Sequence, residues 1–128
     1  MSDKFTVEII APNKTILKTE TSEVTIPSYE GQIGILKDHI PLITFLRPGI
    51  ITLENQEKKY YVEEGTVEFS NNNLLILTST AKNLAELNQN SIEDLLSAAE
   101  SQFNDNNSSD KKKYISSYKI STLKEINQ

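Results

Sequence analysis

A serine or threonine nucleophile needs a base within hydrogen-bond reach. The chain holds a single histidine, His39, and no Gly-x-Ser-x-Gly turn to present a hydroxyl. Cysteine is absent, which removes a nucleophilic thiol, a thiolate metal site and a disulfide framework together, and is compatible with a reducing compartment. A metal would have to be held by His39, Asp38 and distant carboxylates, a donor set too poor to favour over a solvated turn. The only four glycines, Gly31, Gly34, Gly49 and Gly65, fall at expected strand ends and open no helix, so no phosphate cradle forms. Glu63 and Glu64 are adjacent at a strand end, which points them to opposite faces and prevents them from sharing a proton. No catalytic residue, cofactor or metal is expected.

What remains is recognition. The net charge of −5 and the sequence pI of about 4.9 argue against generic binding to nucleic acid or anionic lipid, which require a concentrated positive face. The start, MSDKFTVEII, has neither the leader of a signal peptide nor an Arg-rich transit sequence, and no stretch approaches the ~20 apolar residues of a membrane span. A soluble protein is expected, with no direct membrane insertion and any membrane association made through another protein.

The elements that must carry such recognition follow from periodicity. Phe5, Val7 and Ile9 alternate with Lys4, Thr6 and Glu8, a period of two that marks a half-buried strand closed by the turn Ala11-Pro12-Asn13. Similar segments are Thr15 to Thr19, Glu23 to Ile26, Gln32 to Leu36, Leu42 to Leu46, Ile50 to Glu54, Lys58 to Glu63, Thr66 to Phe69 and Leu74 to Ser79. They are separated by turn formers such as Pro48-Gly49, Asn55-Gln56, Glu64-Gly65 and Asn71 to Asn73. Connections this short leave no room for crossover helices, so an antiparallel β-sandwich or flattened barrel of about nine or ten strands is predicted over residues 1–83.

After Ala81 the period changes. Ile92, Leu95, Leu96, Ala99 and Phe103 fall at helical spacing, and Ser91 with Asp94 three places later matches an N-cap box, giving a helix over about 90–104. The polar connector Asn104 to Ser109 precedes a second helix over about 109–127, with Ile115, Tyr118, Thr122, Leu123 and Ile126 on one face. Residues 84–128 therefore read as a helical hairpin. Helices this short and thinly apolar are marginal alone and must lean on another surface.

The run Tyr29-Glu30-Gly31-Gln32-Ile33-Gly34-Ile35-Leu36-Lys37-Asp38-His39-Ile40-Pro41-Leu42-Ile43-Thr44, followed by Leu46-Arg47-Pro48-Gly49, resembles the signature of the epsilon subunit of F-type ATP synthases. That family reads Glu-Gly-x-x-Gly-hydrophobic-Leu, then His-x-Pro-Leu-hydrophobic-Thr, then Pro-Gly. Val7 to Pro12, Val62 to Glu68 and Leu74 to Ala81 resemble the family as well, so about two thirds of the chain is covered. Lys37-Asp38 stands where Pro-Gly is common, and Glu64-Gly65-Thr66 replaces a frequent Gly-Gly-aromatic run.

The resemblance implies a non-catalytic subunit of the central stalk, or rotor, peripheral to the cytoplasmic face of a bacterial inner membrane. Its partners would be the gamma subunit, the c-ring and, transiently, the alpha/beta catalytic head. Proton flow through the c-ring would thereby be coupled to ATP synthesis. Contacts to the c-ring carry over to Glu30 and Gln32, although several relatives place an acidic residue at the latter. Contacts to gamma carry over to His39 and, with the hairpin raised as a brake on ATP hydrolysis, to Tyr118 and Leu123. Lys111, Lys112 and Lys113, extended by Lys119 and Lys124, would meet an acidic segment of the head; otherwise the helix starts nearer Lys113 and the lysines solvate the connector. The family's ATP motif, Ile/Leu-Asp-x-x-Arg-Ala, lacks its arginine here, since Arg47 is the only one and flanks a turn. The alternative from residues alone is a β-sandwich adaptor or ligand-binding module with a dimerising helical tail.

Overall fold

The computed structural model describes residues 3–53 and 58–126. It divides into a β unit that ends at Ala85 and a helical unit that begins at Glu86. The expected turn at Asn55-Gln56 lies outside the described residues.

The β unit contains β1 (Phe5–Ala11), β2 (Lys14–Thr21), β3 (Glu23–Ser28), β4 (Gly31–Leu36), β5 (Leu42–Leu46), β6 (Gly49–Leu53), β7 (Lys59–Val62), β8 (Gly65–Ser70), β9 (Asn73–Leu77) and β10 (Lys82–Asn83). One hydrogen-bonded sheet connects them in the order β10-β7-β6-β3-β5-β8-β9-β1-β2, with β4 paired to β3. The predicted β-sandwich class therefore holds, with one departure. β1 runs parallel to β9, from Thr6 opposite Asn73 to Ile10 opposite Leu77, so the sheet is mixed and not purely antiparallel.

Alternation determines which side chains enter the core. Phe5, Val7 and Ile9 point inward from β1, and Val67 and Phe69 from β8. They join Val24, Ile26, Ile35, Leu46, Ile51, Leu74 and Ile76 in one buried cluster. The rings of Phe5 and Phe69 meet edge to face with centroids 5.5 Å apart. The β8–β9 hairpin turns on Asn71 and Asn72, both at positive φ, between the paired Ser70 and Asn73. This two-residue geometry matches the twist of the flanking strands, and asparagine tolerates it better than most residues. Gly65, at φ +154°, lies so close to the Leu77 carbonyl and the Leu46 side chain that a Cβ would collide with both. Gly34 differs from expectation: it is an interior residue of β4 opposite Thr25 and makes no turn.

In the helical unit, α1 spans Gln89–Asn104 and α2 spans Asp110–Ile126. The cap of α1 is Asn88 and not Ser91. The Asn88 side-chain oxygen accepts from the Ser91 amide at 2.8 Å, so the cap lies three residues before Ser91 and the helix starts at Gln89, next to the expected 90. Ser109 caps α2 by accepting from the Lys112 amide at 3.1 Å. Between the helices, Gln102 of α1 accepts hydrogen bonds from Ser116 and Lys119 of α2, each at 3.4 Å.

Candidate docking surfaces

The first surface is the β3–β4 turn. Ser28 pairs with Gly31, which leaves Tyr29 and Glu30 as the two exposed turn residues and places Gly31 at φ +115°, where a side chain would be strained. Fully buried, the Ser28 hydroxyl serves both ends of the turn: it donates to the Gly31 carbonyl at 2.7 Å and accepts from the Glu30 amide at 3.1 Å. Gln32, the second residue of β4, lies on the outward side together with Gly34 and Leu36. Glu30 and Gln32 thus stand exposed at one end of the sheet, with a carboxylate and an amide available for polar recognition.

The second surface begins at the β4–β5 loop. Asp38 sits at φ 66°, and its amide donates to the Asn72 side-chain oxygen at 2.7 Å while the Asn72 side-chain nitrogen donates back to its carboxylate at 3.0 Å. This reciprocal clamp ties the loop to the β8–β9 turn. His39 follows, half-buried, with its ring edge to face against Phe69 at 5.8 Å and Nδ1 2.7 Å from the Ile40 carbonyl. Much of the imidazole is therefore engaged by its own domain.

Beyond His39 the chain exposes large apolar side chains. Ile43 is 75% and Phe45 62% exposed, on the outward side of β5. Across the sheet, Phe45 faces Thr66 and Thr66 faces Leu77, so these three form one cross-strand row, while Ile43 faces Glu68. Leu77 is exposed, as is Ile40 in the adjoining loop. The core is already complete beneath this row, with Thr44 and Leu46 buried on the inward side of β5. Sequence reasoning identified β5 as a strand but did not single out Ile43 and Phe45. The available signal was that Leu42-Ile43-Thr44-Phe45-Leu46 is apolar at both parities, whereas a half-buried strand alternates.

The residues assigned to the hairpin are distributed differently. Lys111 and Lys112 are exposed and Lys113 is half-buried, all within the first turn of α2, which starts at Asp110 and not near Lys113. At about 100° per residue, Lys112 and Lys119 share one side of the helix, Lys113 and Lys124 share another, and Lys111 falls on a third, so the five lysines do not make one strip. Lys119 is half-buried at Gln102. Tyr118 stacks edge to face on Tyr114 at 5.0 Å, their hydroxyls 2.8 Å apart. Leu123 is fully buried, so in this conformation it offers no surface to a partner.

Among the described residues no group of three or more histidine, cysteine, aspartate or glutamate side chains could hold a metal ion. No described helix is long and apolar enough to cross a membrane. Arg47 is turned inward: Nε donates to the Ser28 carbonyl and a terminal nitrogen to the Pro48 carbonyl, each at 3.1 Å.

Comparison with known proteins adds a family. Residues 4–84 match the model of the ATP synthase Delta/Epsilon chain, beta-sandwich domain. The ATP synthase epsilon chain of Pelagibacter ubique is 45% identical, the match covering 99% of this chain and all of that one. That of Dichelobacter nodosus is 34% identical, over 78% of this chain and 72% of its own. Among solved structures, a chain of the Euglena gracilis mitochondrial ATP synthase OSCP/F1/c-ring assembly superposes with a TM-score of 0.75 at 18% identity, covering 99% of this chain and 81% of that one. A chain from the central stalk and c-ring of the Tetrahymena thermophila enzyme gives a TM-score of 0.63 at 17% identity, covering 95% and 92% respectively. At such identities these structures speak for the fold.

Proposed function

The chain belongs to the epsilon-chain family of ATP synthases, and from that premise we propose that it is a non-catalytic central-stalk subunit. It joins the gamma subunit to the c-ring so that ion-driven rotation reaches the catalytic head. The observation that carries the assignment of partners is the outward face of β5 to β9. Ile43, Phe45 and Leu77 are exposed above a finished core, and apolar surface of this kind on a folded domain marks a place where another protein packs. This is the gamma face, joined by His39 of the loop that leads into β5.

The β3–β4 turn, with Glu30 and Gln32, meets the c-ring through polar contacts. In the bacterial setting of its relatives the subunit is peripheral on the cytoplasmic side of the inner membrane, reaching it through the c-ring. The hairpin is a brake on ATP hydrolysis that acts when it leaves the conformation described here, exposing Leu123 and Tyr118 toward gamma and bringing Lys111 and Lys112 to an acidic segment of the head.

Replacing Glu30, Gln32 and His39 together by alanine tests the docking assignment. The β unit should stay folded, since substitution of the exposed Glu30 and Gln32 costs about 0.5 kcal/mol or less each and the half-buried His39 gives up a ring contact with Phe69 worth about 0.5 to 1.5 kcal/mol, while retention of the subunit in the solubilised complex should fall. Full retention of the triple variant would overturn the contacts. A wild-type chain that fails to co-purify with gamma in equal amounts would overturn the assignment itself in favour of an adaptor.

A further inference from the structure

Glu30 is exposed, yet its conformation is determined from beneath. Its amide is held by the buried Ser28 hydroxyl, and its Oε1 accepts from the hydroxyl of Thr44, 3.3 Å away on β5. Thr44 is only 4% exposed, so this hydroxyl is a fixed group of the domain interior reaching up to a surface carboxylate. The Ser28 carbonyl is in turn held by Arg47 Nε, and the Arg47 amide donates to the Pro27 carbonyl at 3.2 Å, so β3 and β5 are pinned together where the turn begins. Oε2 of Glu30 has no hydrogen-bond partner among the described residues.

We propose that Ser28, Thr44 and Arg47 are positioning residues that preset the Glu30 carboxylate, tying one oxygen inward and presenting the other to a cationic or N–H group on the c-ring. This rests on the assignment of Glu30 as a ring contact. The chemistry favours it for two reasons. A glutamate loses much rotamer freedom when it is immobilised on binding, and a side chain already held in the free protein loses less. A carboxylate with one oxygen occupied also accepts from one direction, which selects the angle of approach. Arg47, the chain's only arginine, acts here through the Ser28 and Pro48 carbonyls.

The test uses the full chain in complex with gamma, applied to immobilised detergent-solubilised c-rings. It compares Thr44→Val, Thr44→Ser and Arg47→Lys in Glu30 and Glu30→Ala backgrounds. Thr44→Val should weaken ring binding about two- to tenfold, as expected for ordering one rotamer-rich side chain. Thr44→Ser should restore binding, and Thr44→Val should add nothing once Glu30 is alanine. In the isolated chain, NMR couplings of Glu30 should report one χ1 rotamer in wild type and Thr44→Ser, and averaging in Thr44→Val. An equal loss from Thr44→Val in both backgrounds would show a general structural effect and overturn the proposal. An effective Glu30→Ala with an inert Thr44→Val would overturn the positioning alone, and an inert Glu30→Ala would overturn the ring contact with it.

Discussion

Changing Ile43 and Phe45 together to threonine should release gamma without unfolding the subunit. Threonine keeps a β-branched side chain suited to the strand, and both positions face outward, so each change should alter stability by about 0.5 kcal/mol or less. Fully burying an isoleucine or phenylalanine contributes roughly 1.5 to 3 kcal/mol. Scaled by the 75% and 62% of these residues that stand exposed, covering the pair contributes about 2 to 4 kcal/mol, or roughly 30- to 1000-fold in affinity. Retained threonine methyls place the result toward the lower end. Calorimetric titration of the full chain with gamma measures it, with a urea midpoint as the folding control. Because the lost contact is apolar, the deficit should persist in high salt. Unchanged affinity for gamma would refute the assignment of this face. A large fall in the urea midpoint would refute the claim that the core is complete without it.

Changing Lys111, Lys112 and Lys113 to glutamine should raise ATP hydrolysis in membranes while leaving synthesis intact, with a smaller effect in high salt; equal hydrolysis in wild type, this variant and a 108–128 deletion would show that the hairpin is no brake. The same variant should steady α2 in the isolated chain, measured by helicity, because a cation in the first turn opposes the helix dipole by roughly 0.3 to 1 kcal/mol. ATP should bind weakly or not at all, since the only arginine is committed to the Ser28 and Pro48 carbonyls; a low-micromolar calorimetric constant would contradict this. Burial, reinforced by the charge and hydrogen bond of Glu63, pushes the Tyr61 phenol well above its ordinary range. The unfolded chain therefore loses this proton first as pH climbs past about 10, so the stability it confers is intact below about pH 10 and lost above it. Urea midpoints should fall there in wild type and less in Tyr61→Phe.

The strands were legible because period-two alternation and turn chemistry agree locally, as at Asn71-Asn72, where the residue type is the one that the hairpin geometry demands. Pairing between distant segments leaves no such trace. Nothing in Val7 or Ile9 says that the neighbour is β9 or that it runs parallel, and the two-residue β10 is too short to alternate. Asn88 was missed as a cap because Ser91 and Asp94 satisfy the same spacing rule one turn later, and only the geometry of the Ser91 amide decides between them. For the candidate site, motif resemblance located Glu30, Gln32 and His39. The relation of Glu30 to Thr44 required a fold that brings β5 beneath the β3–β4 turn.

The parallel pairing of β1 with β9 also determines when the domain can finish folding. As the chain leaves the ribosome, β1 can form its hairpin with β2 at once, but its other edge stays open until Asn73 to Leu77 has been synthesised. Val7 and Ile9, fully buried in the finished domain, lie on that waiting strand. Closure of the sheet is thus a late, long-range event that a truncated or stalled nascent chain cannot reach, and such chains present an unpaired apolar edge to chaperones and proteases.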